Sequence, residues 1–451
     1  MRALVVGAGE VGYDVARLLA LEEHDVVVID KDAKALATIA DKLDVMTILG
    51  NGTSASVLRD AGATTAGLLV AVTTVDEVNI VACMLANRLG CAKTIARVRS
   101  GELSSQESVL SSEDFGINVV IHPEESAAAE VEMLIRRAGA SDVVSLADGR
   151  LHLIGLRLDK DSPVIGWSLE KLGQEYPTPA IRVAAISRGI RTILPGGKDT
   201  LRANDVVFVA AMPKHVPHVL EIMGKKDHRI DRIMIIGGSQ VAARVAQRLS
   251  SGKHKQIKLV EADREHAQEL SELLGDVLVI HGSPNDMDLL ITEGMAEMDA
   301  VVALTDDEES NLVSCLLAKH LGVRKTVALL SKPAYIPISQ SIGLDSAVNM
   351  KLAVSREVMA SLRGQHVLSV ASVRGMDSDI LEIEAQARSP ITRGCIGELK
   401  LPKGMLIAGV DRGKTMEIAT SSTRIEAGNR AYVFARHHDV AAAEAYFSTG
   451  G

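Results

Sequence analysis

Gly7-Ala8-Gly9-Glu10-Val11-Gly12 follows the short apolar run 3–6 and opens a helix-like stretch. Glycines at this spacing suit a phosphate ligand. Gly7 permits a tight turn, Gly9 lets the backbone approach a pyrophosphate, and Gly12 allows a helix to pack closely on its strand. The start of that helix turns unpaired N–H groups and the positive end of its dipole toward the phosphates. Asp30 ends the next apolar run, 18 residues after Gly12. A carboxylate there accepts hydrogen bonds from a ribose diol and repels a 2′-phosphate, so the pattern predicts NAD(H) rather than NADP(H). A glycine-rich turn that binds nothing is the alternative.

Three further residues fall where such a ligand would lie. Thr73 and Thr74 follow the fourth apolar run, and their hydroxyls could touch ribose or phosphate or could cap the helix beginning near Asp76. Arg97 sits in the run 94–98 and could grip a phosphate in bidentate fashion or form a salt bridge at an interface. Chemistry beyond binding finds no support. His122 and His152 stand alone, and no H-E-x-x-H, G-x-S-x-G or P-loop motif occurs. Asp159/Asp161 and Glu382/Glu384 could hold a divalent cation or form solvated strand faces. The expectation is a binding protein with no catalytic residue and no metal.

The elements that position these residues come in two copies. Residues 71–94 and 303–326 share twelve of 24 positions at an offset of 232, among them Thr73/Thr305, Glu77/Glu309, Asn79/Asn311, Cys83/Cys315 and Lys93/Lys325. Gly7 maps onto Gly237 at an offset of 230. Apolar runs at 3–6, 26–29, 45–49, 68–72, 94–98 and 119–121 alternate with helical patterns at 11–21, 33–42, 55–61 and 76–89. That order predicts a parallel, doubly wound sheet. Runs at 233–236, 258–261, 277–280, 301–304 and 326–330 repeat it. Strand signals at 151–158, 184–187 and 206–210, matched by 380–385, 406–410 and 431–435, predict a small β-rich module after each sheet. The fold class is thus α/β, two Rossmann-like sheets each followed by a small α+β module. The boundaries read are 1–122, 142–226, 230–347 and 367–450, with connecting helices near 123–141 and 348–366.

The second glycine loop is altered. It reads Gly237-Gly238-Ser239-Gln240-Val241-Ala242, with Glu261 ending the second run and Leu329 at the place of Arg97. Each added side chain narrows the approach for a pyrophosphate. This site is weaker, changed in ligand or empty.

Composition narrows the partners. The 451 residues carry 49 basic and 58 acidic side chains, net −9, and only 2% aromatics with a single Trp167. Neither a basic surface nor stacking platforms for nucleic acid are expected. Four scattered cysteines suggest buried thiols in a reducing compartment. No apolar run reaches the ~18 residues of a membrane helix, so membrane work would be done through a partner.

The motifs at residues 7–12, Asp30, 50–53, 73–79 and 95–97, with Ser162-Pro163 and Asn204-Asp205 in the β-rich module, resemble the regulator-of-potassium-conductance (RCK) family. The tandem order over nearly the whole chain is similar to the cytosolic subunits of Trk-type potassium-uptake systems. The resemblance implies NAD(H) and ATP/ADP binding and self-association into a ring, a homotetramer. It also implies docking on a membrane-embedded Trk-type potassium transporter subunit, with a cytoplasmic location peripheral to the inner face of the membrane. It assigns nucleotide contacts to Gly7, Ala8, Gly9, Glu10, Val11, Asp30, Thr73, Thr74 and Arg97, and places Ser239, Ala242 and Leu329 outside the pattern. An NAD-dependent oxidoreductase or a stand-alone nucleotide sensor are the competing readings.

Overall fold

A computed structural model describes residues 1–99, 110–176, 181–189, 191–225, 228–252, 255–332, 335, 338–339, 342–350, 354, 358, 367–372, 378–402 and 404–448. The chain divides into two compact units, 1–127 with 349–362, and 128–348 with 363–451.

The first unit is built on β1 (Arg2–Val6), β2 (Asp25–Asp30), β3 (Met46–Leu49), β4 (Leu68–Ala71), β5 (Thr94–Arg97) and β6 (Val119–Ile121). All run parallel in the order β3-β2-β1-β4-β5-β6. Their Val, Leu and Ile runs are buried on both faces, as a parallel sheet covered by helices requires. The helices are α1 (Glu10–Leu21), α2 (Ala33–Ala40), α3 (Ala55–Asp60) and α4 (Asp76–Leu89). Val15, Ala16 and Leu19 of α1 and Leu36 and Ile39 of α2 cover one face, where Val354 and Val358 also pack. Ala82, Cys83 and Ala86 of α4 cover the other. Strand order reverses between β1 and β4, so the chain leaves their paired carboxyl ends in opposite directions and opens a crevice at this sheet edge.

Helix α5 (Pro123–Arg136) follows. It is shorter than the expected 123–141, ending before Gly139, because β7 already begins at Asp142. The second expected connecting helix, 348–366, lies almost wholly outside the described residues.

In the second unit, β7 (Asp142–Leu146), β8 (Leu151–Arg157), β9 (Ile181–Arg188), β10 (Arg191–Ile193) and β11 (Val206–Ala211) form an antiparallel sheet. Helices α6 (Leu169–Glu175) and α7 (Val216–Ile222) flank it. A second parallel sheet joins β12 (Arg232–Ile236), β13 (Gln256–Glu261), β14 (Leu278–His281), β15 (Ala300–Ala303), β16 (Lys325–Leu329) and β17 (Ser346–Val348). Its order repeats that of the first, with helices α8 (Gln240–Ser250), α9 (Arg264–Leu273), α10 (Met287–Thr292) and α11 (Glu308–His320). The last sheet comprises β18 (Val367–Ser372), β19 (Ser378–Glu384), β20 (Met405–Asp411), β21 (Met416–Ile418) and β22 (Arg430–Arg436), followed by α12 (Val440–Phe447). The two antiparallel sheets share one core, in which Leu153, Phe208 and Ala210 meet Leu406, Tyr432 and Phe434. Arg150 reaches across it with both terminal nitrogens on Asp411, at 2.9 and 2.5 Å.

Candidate nucleotide-binding site

The first glycine loop carries the geometry its residues suggest. Gly7 turns with φ +110°, a conformation side chains resist, and a Cβ there would lie 3.1 Å from the Thr73 amide nitrogen. Gly12 packs so tightly that a Cβ would fall 1.8 Å from the Gly7 carbonyl oxygen. At Gly9 an added Cβ would meet no atom within 4 Å. Gly9 is the N-cap of α1, and no side chain caps that helix. Gly9, having no side chain, offers no capping acceptor of its own at a helix end that favours anions. These features fit a dinucleotide pyrophosphate laid over the loop, with Glu10 and Val11 contributing the first helical amides.

Asp30 does more than wait for a ribose. The Ala8 N–H donates to its Oδ2 at 2.5 Å and the Asp32 N–H to its Oδ1 at 2.9 Å. The carboxylate thus ties the glycine loop to the β2–α2 turn. Each oxygen keeps a second lone pair that could accept a ribose hydroxyl.

Thr73 and Thr74 do not cap α4. The N-cap is Val75, without a side-chain bond, while the Thr73 hydroxyl accepts from the Val75 N–H at 3.2 Å and lies 2.8 Å from Asn79 Oδ1. Thr74 is exposed at the rim. Asn79, wholly buried, is the residue that organises this corner. Its Oδ1 accepts from the Thr73 N–H (2.9 Å), and its Nδ2 donates to the Thr73 and Arg97 carbonyls (3.1 and 2.9 Å). The carboxyl ends of β4 and β5 are therefore pinned together by one amide. Its identity with Asn311 in the repeat was the available signal.

Arg97 is buried, and its Nη2 donates to Glu124 Oε1 at 2.9 Å. Glu124 stands in the first turn of α5, so the pair links the sheet to that helix. Arg97 Nε and Glu124 Oε2 are buried with no hydrogen-bond partner. This ion pair lies within one unit of the chain, and Glu124 was missed because 27 residues separate the partners.

The second copy reproduces the corner and changes the loop. Asn311 Oδ1 accepts from the Thr305 N–H (3.0 Å), and Nδ2 donates to the Thr305 and Leu329 carbonyls (2.9 and 3.0 Å). Glu261 clamps its loop as Asp30 does, accepting from Gly238 N–H (2.7 Å) and Asp263 N–H (2.8 Å). Its arm is one methylene longer, and a Cβ at Gly238 would lie 2.4 Å from Glu261 Oε2. Glycine in place of Ala8 makes room for glutamate in place of Asp30.

The remaining candidates lie apart from this edge. His122 Nδ1 donates to the Val98 carbonyl at 2.7 Å. His152 Nδ1 is buried without a hydrogen-bond partner, and burial, with Arg137 nearby, lowers the imidazole pKa. Asp159 pairs with Lys225 at 2.5 Å and Glu382 with Arg430 at 3.4 Å. Among the described residues no three His, Cys, Asp or Glu side chains gather to hold a metal, and no helix is long and apolar enough to cross a membrane.

Known proteins place this geometry in a family. Residues 3–123 and 233–350 match the TrkA-N domain, and residues 153–224 and 380–448 match the TrkA-C domain. The chain is 34% identical over 454 residues to Trk system potassium uptake protein TrkA homolog 1 of Methanosarcina mazei, covering 99% of this chain and all of that protein. It is 33% identical over 439 residues to Trk system potassium uptake protein TrkA of Vibrio alginolyticus, covering 96% and 95%. The chain belongs to the TrkA family. Its TrkA relatives are potassium-uptake proteins of Trk systems. The TrkA fold recurs in the GsuK channel bound to NAD (TM-score 0.62, 16% identity, 99% of this chain and 78% of that one). It recurs in GsuK bound to ADP (TM-score 0.52, 14% identity, 80% and 69%).

Proposed function

We propose that this chain is the cytosolic regulatory subunit of a Trk-type potassium-uptake system, gating a membrane-embedded potassium-translocating partner in response to nucleotide. NAD(H) lies over residues 7–12 with its ribose on Asp30, and ATP or ADP competes for the same cradle. Thr73 and Thr74 line the rim, and Arg97 turns from Glu124 toward phosphate. Four copies of the chain, each with modules 1–122, 142–226, 230–347 and 367–450, assemble as a homotetrameric ring on the inner face of the membrane. The observation that carries the reading is the open cradle at Gly9, where the N-cap of α1 has no side chain and the loop is tied to Asp30. GsuK, whose fold this chain shares, binds NAD and ADP, and the family membership supports the transport role.

A nucleotide that binds two conformations unequally shifts their populations by its difference in affinity. A coupling of about 1–3 kcal/mol changes a partner's gating ~5–150-fold. The test is potassium flux through the reconstituted transporter, with and without this protein and each nucleotide. Flux that depends on the protein and responds to nucleotide is expected. Flux indifferent to both, or stoichiometric oxidation of NADH with any metabolite, would overturn the proposal.

A further inference from the structure

The second glycine loop is held by bonds the first lacks. Ser239 is the N-cap of α8, where α1 has Gly9. Its hydroxyl donates to the Leu304 carbonyl at 2.7 Å and accepts from the Ala242 N–H at 3.3 Å. One side chain thus joins the end of β15 to the first turn of α8, across the place where the first loop is open. His266, in the first turn of α9, donates from Nε2 to the Gly238 carbonyl at 2.9 Å. The corresponding residue of the first copy is Ala35, which has nothing to donate.

The backbone has adjusted to match. A Cβ at Gly12 would strike the Gly7 carbonyl oxygen, yet Ala242 occupies the equivalent place, fully buried. The second loop and helix must stand further apart than the first pair. The Thr305–Asn311 corner is the same as Thr73–Asn79 in every hydrogen bond given above, so the sheet edge does not explain the difference.

We propose that Ser239 and His266 fill the second cradle from within and are the residues that make it refuse a dinucleotide. Ser239 takes the helix-end N–H that a phosphate oxygen would use. His266 lies over the loop and fixes the Gly238 peptide in one orientation. The chain then holds one responsive site and one permanently self-occupied copy. This rests on reading the first loop as the nucleotide site.

The experiment titrates NADH calorimetrically into the full chain and into the double variant Ser239→Gly/His266→Ala. One equivalent per wild-type chain and two per folded double-variant chain are expected. Two equivalents in the wild type, or no gain in the folded double variant, would overturn the proposal. If the wild type takes none and the double variant takes one, the reading of the first site fails and this one stands. A second measurement needs no substitution. The His266 imidazole resonances of the wild type should stay in place when NADH saturates the chain, and a shift or broadening on binding would refute self-occupation.

Discussion

The two glycine loops sit on sheets of identical strand order, beside corners bracketed by the same asparagine, and still differ at the point of ligand approach. At Gly9 there is open space and no capping side chain; at Ser239 there is a hydroxyl bonded on both sides. Around each loop the changes come as a set. Ala8 with Asp30 becomes Gly238 with Glu261, and Gly12 becomes Ala242 in a loop that must have opened to admit it. A duplicated fold can thus keep its scaffold while one copy satisfies its own loop from within, as Ser239 does where Gly9 leaves open space.

Gly12→Ala is the harshest way to break the contrast. A methyl 1.8 Å from the Gly7 oxygen forces the first loop outward. NADH affinity should fall at least a hundredfold, about 2.7 kcal/mol, while circular dichroism shows a folded chain, since Ala242 is accommodated in the second copy. Calorimetry that finds unchanged affinity would remove the packing argument.

Asn79→Ala and Asn311→Ala test the shared corner. Each leaves buried backbone groups of two strands unpaired, at about 2–3 kcal/mol. Equal destabilisation in urea titrations is expected, and a clear inequality would show that the two corners are not equivalent.

Asp30→Ala should weaken NADH binding about tenfold or more, on the order of 1–2 kcal/mol, because it removes a charged acceptor and frees the Ala8 amide. Asp30→Asn should recover part of the loss if the clamp matters as well as the charge. Affinity unchanged in both would take Asp30 out of the site.

The smallest effect concerns His266. The Gly238 carbonyl first, then Glu269 and Glu261, raise its pKa above the ordinary value of 6.5. Its stabilisation is therefore full below that value and is lost as pH rises through the higher folded value. The side chain is 44% exposed, so solvent screening keeps the contribution to a fraction of about 1 kcal/mol. Wild type and His266→Gln should differ most in urea stability near pH 5–6 and converge above about pH 8. A difference that grows with pH would reverse the sign.

Much of the fold was legible because it rests on runs such as 3–6 and 68–72, which are apolar on both faces and too short for helices. The strands that escaped are β7 and β18, which open the two antiparallel sheets with five and six residues, and β10, β17 and β21 of three residues each, too short for a pattern of their own. Within the site, Gly7, Gly9, Gly12 and Asp30 could be read because each acts through its own backbone or charge. Glu124 could not, since its role exists only once β5 and α5 are folded. His266 was hidden for the opposite reason. It resembles nothing in the first copy, and a repeat draws the eye to what is kept.

The asparagine corner has a kinetic consequence. Asn79 joins β4 to β5 through three bonds to buried backbone, so neither strand end can fray without releasing the other. The last turn of each strand and the start of α4 therefore open together, as one cooperative unit rather than residue by residue. Amide protons at Thr73 and at the ends of β4 and β5 should exchange with solvent through one shared opening free energy. The rim of the crevice then keeps its shape without help from any ligand, and under the proposed function an arriving nucleotide would meet a surface that does not have to be ordered first.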